Sequence, residues 1–350
     1  MELRAEQWRR RFALAARTPG LDAGRLLAAA RCSADLELLE RPDRHALAAL
    51  GLTTAAIAWL EAPDEACIAE DLRWLDTSGG VLVGATEAAY PELLRQSPDA
   101  PAVLYVRGNP ACLLEPQLAM VGSRNPTAGG RATAREFAAS FARLGLAITS
   151  GLALGIDAAC HEGALADRVA ASGALVSEFP PGTPALREHF PQRNRIIAGL
   201  AHGTLVVEAA QKSGSLITAR LAGVAGRDVF ALPGSIHNPL ARGCHELIRQ
   251  GAKLVECVED VLAELKISLA QQLLESPAPA STGTRGGARV LDKAYKILLD
   301  ALAFEPASVD SLIERTGLNS ESIASMLLIL ELDGHVAPHP GGRYSRMAGK

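Results

Sequence analysis

The chain is short of the features that most readily announce a function. Its six cysteines, Cys32, Cys67, Cys112, Cys160, Cys244 and Cys257, stand singly. There is no C-x-x-C pair and no zinc spacing, which argues against a zinc ribbon or a disulfide framework and fits the reducing cytosol. No apolar run approaches the roughly 18 residues of a membrane span, so no membrane role is expected. The amino-terminal MELRAEQWRRRF is charged with no apolar stretch behind it, unlike a secretory signal. Excess positive charge is also missing. The formal net charge is −4, unlike that of an ordinary DNA-binding protein. Neither G-x-G-x-x-G nor G-x-x-x-x-G-K-[ST] occurs, so the usual fingerprints of NAD binding and ATP hydrolysis are absent.

What is present is a folded chain with a local concentration of cations. At 350 residues and 48% apolar content, two or three globular domains are expected. Between Pro180 and Arg227 stand Arg187, Arg193, Arg195, Lys212, Arg220 and Arg227, against only Glu188 and Glu208. A local patch of this kind can bind phosphate in a weakly acidic chain. Within it, Phe190–Leu200 reads FPQRNRIIAGL and Ser213–Arg220 reads SGSLITAR. Cationic and amide side chains beside Gly/Ser turns and helix starts are what an anionic ligand requires.

Three regions follow from periodicity. Residues 1 to about 75 read as short helices, with Leu14, Leu21, Leu26, Leu27, Leu36, Leu38 and Leu39 at helical spacing. Thr18-Pro19-Gly20-Leu21 resembles half of a helix-hairpin-helix, but no second hairpin matches it and Asp22 has the wrong charge. A packing role fits better. From about Val81 the pattern alternates. Strands are expected at Val81–Val83, Val103–Val106, Leu118–Val121, Ala147–Thr149, Ala174–Ser177, Thr204–Val207, Asp228–Ala231 and Lys253–Val255. With helices between most of them, the fold class is α/β: a Rossmann-like parallel sheet covered on both faces over residues 76–270. Ligands of such sheets sit at the carboxyl ends of the strands. Residues 271–288 read as a Pro/Ser/Gly linker. Residues 289–350 then suggest a winged helix, with His335–Tyr344 as the wing. Its reading helix, Ser320–Leu332, carries Glu321 and Glu331 and no Lys or Arg, which favours packing or protein contact over DNA reading.

Several segments carry candidate chemistry. In MVGSRNPT (Met120–Thr127), Gly122 and Ser123 can offer backbone N–H groups and a hydroxyl to a phosphate, with Arg124 closing over it. The alternative is an ordinary turn with a solvated Arg. In TSGLALGIDAACHEGAL (Thr149–Leu165), Ser150 and Gly151 precede a helix whose positive end faces the cleft. Ser150, Asp157 and His161 could suggest a hydrolase triad. However, Ser150 is not in G-x-S-x-G, and Asp157 and His161 are spaced as an i,i+4 helical pair. Phe190 can stack on a base while Arg193 or Arg195 holds the backbone and Arg187 adds a contact. The alternatives are a core plug for Phe190 and, for Arg195, an internal salt bridge to Glu208 or Glu178.

Six segments in order, MVGSRNPT, TSGLALGIDAACHEGAL, SEFPPGTP (Ser177–Pro184), FPQRNRIIAGL, VVEAAQKSGSLITAR (Val206–Arg220) and VFALPGSIHNP (Val229–Pro239), resemble the DprA/Smf family of DNA-processing proteins. The likeness covers roughly residues 80 to 265. It extends more loosely to a helical, SAM-like amino-terminal domain at 1–75 and to the winged helix. The resemblance implies an extended Rossmann fold that binds single-stranded DNA without sequence preference, forms homodimers, needs no cofactor and loads the RecA recombinase during natural transformation. The DNA contacts it implies are Gly122, Ser123, Arg124, Ser150, Gly151, Arg187, Phe190, Arg193, Asn194, Ser213, Gly214 and Ser215. No catalytic or metal residue is implied.

One departure from the family is large. After His161–Leu165, roughly two dozen residues that would hold a strand are absent, and losing a central strand should leave neighbouring ladders unpaired. The expectation is therefore that a stretch of chain is interrupted between Ala166 and Asp167. An unbroken helix there would contradict it. Two rival functions remain. A nucleotide-cleaving Rossmann enzyme would carry PGGxGTxxE, and Pro233-Gly234-Ser235-Ile236-His237 lacks both the GGxGT and the following Glu. A scaffold that contacts only protein through its helical ends is the other.

Overall fold

The computed structural model describes residues 2–167 and 173–265, together with 302, 307–316, 323, 327, 330, 336–339 and 343–346. The chain divides into two compact units, Met1–Ala280 and Ser281–Lys350. The expected linker, residues 271–288, lies outside the described residues.

The first unit opens with helices α1 (Glu2–Arg17), α2 (Ala23–Cys32), α3 (Arg44–Ala49), α4 (Thr54–Glu61) and α5 (Glu65–Ser78). Asp22, Asp43, Thr53 and Asp64 each accept backbone N–H bonds at a helix start, satisfying donors that a helix leaves open. Asp22 is thus a cap, in keeping with the packing role. The leucine stripe turns inward: Leu14, Leu26, Leu47 and Ile68 share a core with Val83 and Leu104 of β1 (Val81–Gly84) and β2 (Val103–Gly108). A polar link fastens the same junction. Buried Asp71 receives Arg17 Nε at 2.6 Å and the Tyr105 hydroxyl at 2.9 Å.

Next comes a five-stranded parallel sheet. Its strands are β3 (Gln117–Val121), β4 (Ala147–Thr149), β6 (Gly203–Val206), β7 (Asp228–Ala231) and β8 (Lys253–Leu254), in the order β4-β3-β6-β7-β8. Side chains alternate across it as a pleat demands. Leu118 and Met120 face one layer with Phe141 and Ile156, from α7 (Ala128–Arg143) and α8 (Ile156–Asp167). Ala119 and Val121 face the other with Ile197, Leu216 and Leu247, from α9 (His189–Leu200), α10 (Ser215–Val224) and α11 (Arg242–Arg249). Helices therefore cover both faces, as parallel strands require. The α7–α8 contact is close because Gly163 has no side chain; a Cβ there would lie 2.1 Å from the Arg135 carbonyl oxygen.

All eight expected strands form, but not in one parallel sheet. The strand β5 (Ala174–Ser177) pairs antiparallel with β2, and β2 with β1, giving a separate three-stranded sheet β1-β2-β5. The interruption expected between Ala166 and Asp167 is also not found: α8 runs unbroken through both. The helix is continuous across the expected break.

The last described helix of the first unit is α12 (Val258–Glu264); in the second unit, α13 (Val309–Thr316) follows β9 (Ala307–Ser308), and β10 (Val336–His339) forms an antiparallel hairpin with β11 (Arg343–Arg346). β9 joins β11 in the same small sheet. The hairpin falls where the wing was expected. Of Ser320–Leu332, only Ile323, Leu327 and Leu330 are described, and they are helical and buried. The spacing of these three puts one apolar face toward a core.

Candidate nucleic-acid interface

The carboxyl edge of the parallel sheet is assembled from three crossovers. β3 delivers Gly122-Ser123-Arg124. Ser123 donates its N–H to the Glu208 carbonyl at 2.7 Å, and its own carbonyl accepts the Ile156 N–H at 3.0 Å. That second bond is possible because Gly155 approaches closely at φ +88°; a Cβ there would lie 2.3 Å from the Ser123 oxygen. The Ser123 backbone is therefore used internally, and its hydroxyl accepts the Asn125 N–H at 3.1 Å. Arg124 is exposed.

The loop after β4 is held by a residue that spacing placed elsewhere. Buried Asp157 turns its carboxylate to the N–H groups of Gly151, at 3.0 Å, and Ala153, at 3.4 Å. The i,i+4 hydrogen bond to His161 is not made. His161 Nε2 is buried without a partner, and burial pushes its pKa below the usual histidine value while Asp157 pulls it back. Ser150 donates its hydroxyl to the Met120 carbonyl at 2.6 Å, which anchors the loop to β3. The loop then turns Leu152 and Leu154 outward, 66% and 78% exposed, beside the cleft.

The start of α9 supplies the aromatic. Phe190 is half-exposed, so it is not a core plug. The guanidinium carbon of Arg124 lies 5.0 Å from its ring centroid and that of Arg193 lies 5.5 Å away. Both distances fall within cation–π range. Arg193 also donates to the Gly151 carbonyl, so one side chain joins α9 to the β4 loop. Burial pushes the Arg193 pKa down; Asp157 opposes this and Arg124 adds to it. Arg187 is exposed one turn earlier. A stacked pair that spacing did not reveal, Phe179 on His189 at 4.2 Å, lies beside Phe190 in the chain.

Two neighbours point inward. Asn194 is 8% exposed, between Arg193 and the buried Ile196 and Ile197. Arg195 bonds Glu178 and the Asp99 carbonyl, so its internal reading holds with Glu178 as partner. Burial raises the Glu178 pKa, and Arg195 lowers it again. Glu208 instead accepts from the Thr127 N–H at 2.9 Å and the Thr127 hydroxyl at 2.7 Å, at the start of α7.

Ser213-Gly214-Ser215 opens α10, which packs against α9. The two hydroxyls lie 2.6 Å apart, and no side chain caps the helix start. Its first N–H groups are bonded locally, Leu216 to the Ser213 carbonyl at 3.2 Å and Ile217 to the Gly214 carbonyl at 3.0 Å, so what it offers an anion is its positive dipole end and the two hydroxyls. The charge patch is smaller than the sequence suggested. Arg220 approaches Glu246 at 3.8 Å and Arg227 donates to the Leu93 carbonyl at 3.1 Å. The ring of Phe190 is served by Arg193 and by Arg124, from outside the patch.

The parallel α/β sheet thus presents a cationic and aromatic carboxyl edge. The family model described as DNA recombination-mediator protein A matches residues 81–171 and 164–266, and the DprA winged helix domain matches 276–342. Protein Smf of Escherichia coli is 40% identical, over 79% of this chain and 80% of its own. DNA processing protein DprA of Streptococcus pneumoniae is 42% identical, over 51% of this chain and 71% of its own. The X-ray structure of DprA from Streptococcus pneumoniae superposes with a TM-score of 0.62 at 32% identity, covering 73% of this chain and 96% of that one. The chain belongs to the DprA/Smf family.

The comparisons bear on the segment around Ala166 too. Both halves of the family match claim residues 164–171. The alignment with Smf is 301 positions long but takes up 79% of 350 residues, about 276, so about 25 positions in all face gaps along this chain.

Proposed function

We propose that the carboxyl edge of the parallel sheet binds single-stranded DNA. The observation that carries this is the half-exposed Phe190 ring with the guanidinium groups of Arg124 and Arg193 both within cation–π distance of it. An unpaired base can stack on the ring while the arginines hold phosphates; in a duplex the base faces are already stacked. Arg187 extends the backbone track. The start of α10, with Ser213, Gly214 and Ser215, takes a further phosphate. Gly122, Ser123, Ser150, Gly151 and Asn194 shape the groove more than they contact the strand, because their polar groups or their burial are committed inside.

The contacts proposed here are to base faces and phosphates, which supports binding without sequence preference. The site is read as binding, not catalytic: the Ser150 hydroxyl and the Asp157 carboxylate are both engaged away from His161. Within the family frame, the bound strand is handed by a homodimer to the RecA recombinase during natural transformation in the cytoplasm, with no cofactor.

Fluorescence anisotropy with labelled oligonucleotides tests the reading. Single strands of unrelated sequence should bind alike, far more tightly than duplex, and lose affinity steeply with salt. Absence of binding at low salt would reject it.

A further inference from the structure

The two sheets of the first unit are not joined by strand pairing among the described residues. Among the described residues, β4 pairs only with β3 and β5 only with β2. Each therefore keeps one edge of unpaired backbone N–H and C=O groups, a template for strand addition. Both edges line one cavity of about 810 Å³. Leu175 of β5 is 52% exposed, although β5 is otherwise half-buried.

The cavity also holds unfinished hydrogen bonding. His161 Nε2, Glu178 Oε1 and Arg193 Nε are buried without partners, and all three residues line it. Buried polar groups of this kind are normally satisfied, and leaving one open is costly. A peptide backbone carries both the N–H that Glu178 lacks and the carbonyl that Arg193 lacks.

The chain cannot supply that backbone locally. Five residues separate Asp167 of α8 from Gly173, whereas a crossover between parallel strands takes about a dozen or more. The alignment with Smf leaves about 25 positions along its whole length against gaps in this chain, and the two stretches of the family match overlap at residues 164–171.

We propose that the gap between β4 and β5 is a peptide-binding slot that accepts one extended, largely apolar strand in trans, completing a continuous sheet. The mode is β-augmentation, in which backbone bonds supply affinity and alternate side chains supply specificity. The slot is distinct from DNA binding in chemistry, although it opens beside Phe190 and Arg193.

The probe is a fluorescein-labelled synthetic peptide copying the stretch of Escherichia coli Smf that faces the gap. It should bind the full chain saturably, at least tenfold more tightly than its scramble, and slow amide hydrogen exchange in β4 and β5. Leu175→Asp, an exposed change that leaves the core alone, should weaken binding at least tenfold. A variant with the same stretch inserted after Ala166 should melt higher and no longer bind the peptide. The proposal fails if folded protein does not distinguish peptide from scramble, or if the insertion variant binds the peptide unchanged. It also fails if a dT oligonucleotide protects β4 and β5 while the peptide does not.

Discussion

Arg124 and Phe190 meet across the cleft, the guanidinium carbon 5.0 Å from the ring centroid. One comes from the end of β3 and the other from the start of α9, 66 residues later in the chain. The contact needs the β3–α7 and β5–α9 connections to converge on one edge of the sheet. It is also why the aromatic stays in place without burial: two cations within cation–π distance orient it.

Stacking makes Phe190 the most informative single change. Phe190→Ala should cost about 1–3 kcal/mol of single-strand affinity, the usual value for one base–aromatic stack. Phe190→Trp should keep most of it. Because the ring is half-exposed, the thermal midpoint should move little. Anisotropy and melting of both variants check this, and equal losses in both would assign Phe190 a packing role.

Arg124→Ala should weaken binding by about 1–3 kcal/mol, as expected for loss of a charge-assisted phosphate contact. It should also flatten the plot of log affinity against log salt by about 0.7, the single-strand value for one phosphate contact. An unchanged affinity in folded protein would remove Arg124 from the interface.

Arg195 separates fold from function. Its bonds to Glu178 and the Asp99 carbonyl are internal. Arg195→Ala should lower stability by roughly 2–3 kcal/mol, less than for a fully buried pair because the two side chains keep 23% and 13% exposure. Strand affinity measured on folded protein should stay within about twofold, well under 1 kcal/mol. Denaturant titration and anisotropy together check it.

Stability should fall as pH drops below about 6.5. Burial lowers the folded pKa of both His161 and His202. Above the ordinary histidine value both states are neutral and the contribution is complete. Below it, the unfolded chain takes up protons that the folded chain refuses, so the contribution is lost. His161→Gln and His202→Gln should each reduce the drop in denaturation midpoint between pH 7.5 and pH 6. A drop of unchanged size would clear these histidines.

Much of the fold was legible because apolar strand runs, turn residues and helix periods agree along the chain. Partnering was not. The run Ala174–Ser177 looks like any buried strand, and nothing in its residues tells that it joins β2 antiparallel and not β4. At the site, Phe190, Arg193 and Arg124 could be read from aromatic and cationic side chains next to Gly/Ser turns. Asp157 could not: its helical spacing to His161 suggested one partner, whereas the open N–H groups of the Gly151 loop attract the carboxylate more strongly. The burial of Asn194 was hidden for a related reason. It stands between two arginines in sequence, but a helix turns successive residues about 100° apart, and this one faces inward.

The central claim is that an unpaired base rests on Phe190. Photo-crosslinking of a bromodeoxyuridine-substituted single strand to the full chain, followed by mass spectrometry of the adducts, addresses it directly. The account predicts adducts at Phe190 or at Gly122–Arg124, suppressed in Phe190→Ala. Adducts confined to residues 307–346, with Phe190→Ala unchanged, would contradict it.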